Sequence, residues 1–204
     1  METEGSCQCS INALQTLTEL RNVHTVVELG TILDLVHRVY SQGQVMLQCK
    51  ECRQAPSSSM VTIPALAEQC LSLFEAVCLA YSITRQNTLF DPNALAFEQP
   101  LPQFICIRSK VQLGETEMDE DDSGVLVRML LSRNLIKLVE LLKALREVLR
   151  SLSKETPPSH RTGPLRACES SVESTIRRFA VFMEQIELDP NVPDGIIFNS
   201  AGLC

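Results

Sequence analysis

Cys7-x-Cys9 and Cys49-x-x-Cys52 are the paired thiols of this chain. Two such pairs offer four thiolates to a tetrahedral zinc ion, and in a reducing compartment a metal is a better expectation than a disulfide. The spacing alone is a weak signal. Structural zinc sites hold each pair in a tight turn, whereas the residues between these pairs read as two helices. An antiparallel hairpin of those helices would bring the pairs together. Without that return the four are free thiols, buried or half-exposed in helix faces, and a redox pair is the third reading of the same residues. Cys70, Cys78, Cys106 and Cys168 have no partner at ligand spacing and read as small core residues.

Nothing else in the sequence has the pattern of a reacting group. His24, His37 and His160 lack neighbours that suggest catalysis, and His37 reads as a helix-surface residue. The chain has no Gly-x-Ser-x-Gly elbow, no His-Glu-x-x-His, no phosphate-cradling Gly-rich loop and no Gly-x-Gly-x-x-Gly. The six acids between Glu115 and Asp122 are too crowded and exposed to form a tuned acid–base pair. These absences predict a non-catalytic protein.

Composition narrows the classes further. The 204 residues are 45% hydrophobic and 21% charged, enough to bury a core and too apolar for a disordered chain. Aromatics are only 4%, with no Trp, so the core must come from Leu, Val, Ile, Ala, Met and Cys, a palette suited to packed helices. The net charge of −7 argues against direct DNA binding, which needs basic side chains to neutralise phosphates. The acidic start, Met1-Glu2-Thr3-Glu4-Gly5, is unlike a signal peptide. The lack of an obvious apolar span predicts no membrane anchor, and Cys204 as last residue does not fit a prenylation signal. A reducing compartment, nucleus or cytoplasm, is the expectation.

The positioning elements are helical. Ile11, Leu14, Leu17 and Leu20 recur at three-residue intervals and predict a helix over about Ser10 to Asn22. A second is expected from about Thr25 to Gln48, with Val26, Leu29, Leu33, Val36, Tyr40 and Val45 to Leu47 on its face and Gly30 and Gly43 as weak points. A loop near 54–59 precedes a third helix, from Ile63 to about Arg85, with Pro64 in its first turn. The connection 87–122 contains three prolines and the short apolar run Phe104-Ile105-Cys106-Ile107, read as extended. A long helix over about Ser123 to Ser153, a loop near 154–164 and a last helix over about Cys168 to Ile186 complete an all-α single-domain bundle of about five helices. It spans 1–188 and is followed by a tail, 189–204.

The long helix carries Leu131, Leu135, Leu138, Leu142, Leu145, Leu149 and Leu152 at alternating four- and three-residue steps, the a/d pattern of a coiled coil. Val139, Leu141 and Val148 widen that seam into a broad arc, which favours packing inside the domain over a dimer zipper. Ahead of it, Glu115, Glu117, Asp119, Glu120, Asp121 and Asp122 favour the positive end of the helix dipole, with Asp122 or Ser123 as cap. The same acids could steer a partner protein.

In order along the chain, several segments resemble the C-terminal regulatory domain of aflatoxin-regulator-type fungal transcription factors. They are Cys7-Gln8-Cys9 with Ala13-Leu14-Gln15-x-Leu17-x-x-Leu20, Met46-Leu47-x-Cys49-x-x-Cys52, Leu71 and Leu73, Lys110-Val111-x-Leu113-Gly114, the acids from Glu117 to Asp122, and Asn134-Leu135-x-Lys137-Leu138. Together they cover roughly residues 7 to 155. The resemblance implies a nuclear regulator of secondary-metabolite biosynthesis genes. It would act through protein contacts, with a DNA-binding regulator or with a second copy of itself. The family's binuclear zinc cluster, with six cysteines in two Cys-x-x-Cys-x6-Cys units, has no counterpart here, because Cys70 falls far outside the required spacing. The expected role is that of a regulator or co-regulator without its own DNA-binding module in these residues and without a required cofactor, zinc being the one candidate; an accessory co-regulator, a decoy that titrates partners and a longer protein whose zinc cluster precedes this sequence all fit. The alternative is an accessory protein that binds a small apolar metabolite, or a cyclase- or isomerase-like one, with a pocket between helices.

Overall fold

The helix with the most apolar sequence has to be enclosed by the others, and it is. The computed structural model describes residues 7–54, 59–83, 104–110, 112–113, 116–155 and 163–187. Its elements are α1 (Cys9–Arg21), β1 (Val26–Glu28), α2 (Leu29–Gln48), α3 (Lys50–Gln54), α4 (Thr62–Ala80), β2 (Ile105–Ile107), β3 (Gln112–Leu113), β4 (Thr116–Glu117), α5 (Glu120–Glu155) and α6 (Gly163–Glu187). The fold is all-α. The described residues contain one helix more than expected, the five-residue α3.

By length and composition α4 could cross a membrane, which corrects the expectation that no stretch comes near that requirement; most of it, however, is buried inside this protein. Leu66, Ala67, Cys70, Leu73, Phe74 and Val77 of α4 are all within 0–2% exposure, and the helix touches α1, α2, α5, α6 and β2. It stops at Ala80, short of the expected Arg85. Ser82 adopts a left-handed φ of 53°, and the Ile83 N–H donates to the Cys78 carbonyl at 3.0 Å, closing the helix as a Schellman-type cap.

α1 and α2 form an antiparallel hairpin. Arg38 meets Glu19 at 2.8 Å near one end, while Gln42 Nε2 donates to the Cys9 carbonyl at 3.0 Å near the other. Val26 to Glu28 is a strand and not the first turn of α2. It pairs in parallel with β2 in the register Val26–Ile105, Val27–Cys106, Glu28–Ile107. The middle residue of each strand is buried and its neighbours are exposed, as a two-residue period demands. Of the run Phe104 to Ile107 read as extended, Ile105–Ile107 form the strand. β3 and β4 form a minimal antiparallel pair ahead of α5. α5 and α6 pack along each other, and Arg146 and Arg150 both reach Glu173 across that seam, at 3.4 and 3.3 Å. Most of the connections 87–122 and 154–164, His160, Glu115 and the tail 189–204 lie outside the described residues.

Candidate thiol centre

The hairpin does what the cysteine spacing required. It returns the end of α2 to the start of α1, and the sulfurs of Cys7, Cys9, Cys49 and Cys52 all lie within 4.8 Å of one another. Cys7 Sγ and Cys52 Sγ are 3.5 Å apart across forty-five residues of chain. The first pair sits at the entrance to α1. Cys49 is the residue that ends α2, with extended backbone (φ −69°, ψ 123°), and Cys52 lies on α3. The α2–α3 corner is therefore the tight turn that a Cys-x-x-Cys ligand pair needs. All four cysteines are free thiols; Cys52 is buried, and the other three are half-buried.

Several residues hold the corner in place. The Cys7 backbone N–H donates to the Glu51 carboxylate. The Arg53 N–H donates to the Cys49 carbonyl at 3.1 Å, and the buried Ser59 hydroxyl donates to the Cys52 carbonyl at 2.9 Å. Glu51, Gln42 and Ser59 were not singled out from sequence, because single polar contacts leave no periodic trace. The short α3 was hidden for a related reason, being too brief to show a helical period.

The thiols differ in acidity. Hydrogen bonding from the Cys52 backbone N–H, helped by that of Glu51, holds the Cys49 thiol down to about 7 against some desolvation. Burial pushes Cys9 up, and burial together with the Cys7 contact pushes Cys52 well up. The core thiols are different in kind: burial alone raises Cys70 strongly and takes Cys106 to about 11, so these are inert apolar fillers.

The other expected site residues fall into two groups. Leu131, Leu135, Leu138, Leu142, Leu145 and Leu149 are fully buried within the chain, and Leu152 is half-buried. Six of the seven therefore pack against α2, α4 and α6 in the interior of this fold, as the broad apolar arc favours. Glu117, Asp119, Glu120, Asp121 and Asp122 are exposed at the start of α5. Lys110 pairs with Glu117 at 2.6 Å and Arg108 with Glu120 at 3.2 Å. The cap is Asp119, not Asp122 or Ser123: its carboxylate accepts the Asp122 N–H at 2.8 Å, and Ser123 is buried.

His24 and His37 are both exposed. Among the described residues, a groove of about 620 Å³ on α1 is lined by Ile11 and Leu14, one of about 580 Å³ lies beside β1, and one of about 570 Å³ between α5 and α6 is lined by arginine, glutamate and serine, each open to solvent. Compared with known proteins, the chain matches no family model, no curated protein and no solved structure.

Proposed function

We propose that this chain is a non-catalytic regulatory module, a transcription regulator or co-regulator that works through protein contacts and does not itself grip DNA. The observation that carries the reading is an acidic and apolar stripe at the open end of α5. Asp121 and Asp122 are followed one turn later by Val125 and then Met129, which are 48% and 55% exposed. Residues at these three- and four-residue steps share one helix face. Exposed apolar side chains bordered by carboxylates suit a partner that presents a basic, amphipathic surface, with the charges steering encounter and the apolar groups supplying contact. The ordered segments that resemble the aflatoxin-regulator-type domain support placing this activity in fungal secondary-metabolite gene control, in the nucleus. The net charge of −7 supports contact with protein and not with phosphate.

The test is a tethering assay. The full chain is fused to a heterologous DNA-binding module in a fungal host, and reporter transcription is measured. The expected result is a change in reporter output that Asp121→Lys with Asp122→Lys, or Val125→Ser with Met129→Ser, abolishes while helical content is preserved. A folded fusion that leaves the reporter unchanged in both directions would end this reading.

A further inference from the structure

We propose that Cys7, Cys9, Cys49 and Cys52 bind one structural Zn²⁺ ion as a closed tetrathiolate that fastens α1 to the α2–α3 corner. The argument begins with distances. Four sulfurs bound tetrahedrally at a Zn–S length of about 2.3 Å form a tetrahedron with edges of about 3.8 Å. The four sulfurs here already lie within 4.8 Å of one another, and Cys7 and Cys52 stand at 3.5 Å, so short side-chain shifts complete the shell.

Competing uses of the same thiols fit less well. A disulfide joins sulfurs at about 2.05 Å and uses only two at a time, leaving the remaining two crowded beside it. Iron–sulfur clusters distribute their thiolates over different irons and need the sulfurs farther apart than this group allows. A mononuclear tetrathiolate uses every member of the set. Four soft sulfur donors with no nitrogen or oxygen ligand suit zinc. With all four positions filled by protein, no place is left for water or substrate, so the ion is structural and not catalytic.

The surroundings suit a bound metal. On α3, Lys50 and Arg53 outnumber Glu51, so this helix brings a net positive charge to the corner against the net −2 of a zinc tetrathiolate. Binding sends the thiol protons to solvent and leaves no change of oxidation state.

The packing of α1 gives the ion a purpose. Of its thirteen residues α1 buries only Ala13, Leu17 and Leu20, while Ile11 and Leu14 are more than half exposed. Apolar contact alone therefore holds this helix thinly, and a metal tie between residues more than forty positions apart supplies what packing does not. This inference is independent of the transcriptional reading, since neither the acidic stripe nor any partner enters it.

The experiment uses the full chain, purified under reducing conditions from zinc-supplemented cells. Elemental analysis should find about one zinc per chain. Apo protein titrated with Co²⁺ should develop intense sulfur-to-cobalt charge-transfer and tetrahedral d–d absorption, which Zn²⁺ displaces. Cys49→Ser should lose stoichiometric metal and the tetrathiolate spectrum, while Cys168→Ala keeps both. Zinc-free wild-type protein that takes up no Co²⁺ would overturn the site, as would weak octahedral absorption or undiminished uptake by a Cys49→Ser, Cys52→Ser chain. The wild-type readouts do not depend on any variant folding.

Discussion

Gly43 on α2 lies so close to Leu141 on α5 that a methyl group in place of its hydrogen would collide with Leu141 Cδ2 and stand 3.0 Å from Cδ1. Leu141 is fully buried, so any shift of its side chain displaces packed neighbours. Gly43 is thus a contact point between helices, although in sequence it reads only as a weak helical residue. Alanine is the better helix former by about 1 kcal/mol, but overpacking a filled core costs about 1–3 kcal/mol. Gly43→Ala is expected to destabilise the protein by about 1 kcal/mol net. Gly30 has nothing within 4 Å of the corresponding position and is exposed. Gly30→Ala should gain a few tenths to about 1 kcal/mol. Urea unfolding of the two variants checks the opposite signs.

The buried heptad leucines lead to a second expectation. Leu138 is fully buried where α5 crosses the interior, so Leu138→Ala should cost about 2–5 kcal/mol in urea unfolding. The mass in solution, read by gel filtration with light scattering, should not change. A dimer that dissociates in this variant while the monomer stays folded would return these leucines to an intermolecular seam.

How far the fold was legible depended on how well each stretch showed a single period. α5 was plain because the alternating four- and three-residue steps from Leu131 to Leu152 fit a helix and cannot serve a strand. α1 was found, and Leu17 and Leu20 of its expected face are buried, but Ile11 and Leu14 are exposed. Residues three apart advance about 300° around a helix, so Ile11 and Leu20 point to opposite sides and Ala13 takes the inward place. In α2 the buried line runs through Ile32, Leu35, Val36, Val39 and Met46, whereas Leu33 and Tyr40 lie at its margin and Val26 belongs to a strand. Pairing of Val26–Glu28 with Ile105–Ile107 joins segments nearly eighty residues apart, and no local pattern encodes that. The thiol group was legible as ligand types but not as a place. Its assembly needed the hairpin, which is a tertiary fact.

Asp119 controls the start of α5. Its side chain accepts the Asp122 N–H and its carbonyl accepts the Ser123 N–H at 3.0 Å. Removing a capping carboxylate costs about 0.5–2 kcal/mol, so Asp119→Ala should lower stability by about 1 kcal/mol. Glu120, Asp121 and Asp122 share the first turn but only complement the helix dipole. Asp121→Asn is expected to change stability by a few tenths of a kcal/mol. Thermal unfolding should therefore separate Asp119 from its neighbours, although all four look alike in sequence. Equal losses at Asp119 and Asp121 would refute the cap.

Glu75 gives the fold a pH dependence of definite sign. Burial on α4 pushes its carboxyl above the ordinary value of 4.5, and Arg178 opposes this only in part. Cys78, in the same field, is raised to about 12 by burial and by Glu75 itself, with Arg128 acting the other way. A carboxyl whose folded pKa is raised binds more protons in the native chain than in the unfolded one through the interval between the two values. Its contribution is therefore full below the ordinary carboxylate pKa, declines as pH rises through the raised folded value, and is constant above it. Glu75→Gln carries no such titration. The difference in unfolding free energy, variant minus parent, should thus grow in the variant's favour as pH rises from 4 through the weakly acid range, then level off (about pH 4 being just below the ordinary carboxylate value). A difference that is flat over that range, or that shrinks with rising pH, would show that Arg178 and not desolvation governs this carboxyl.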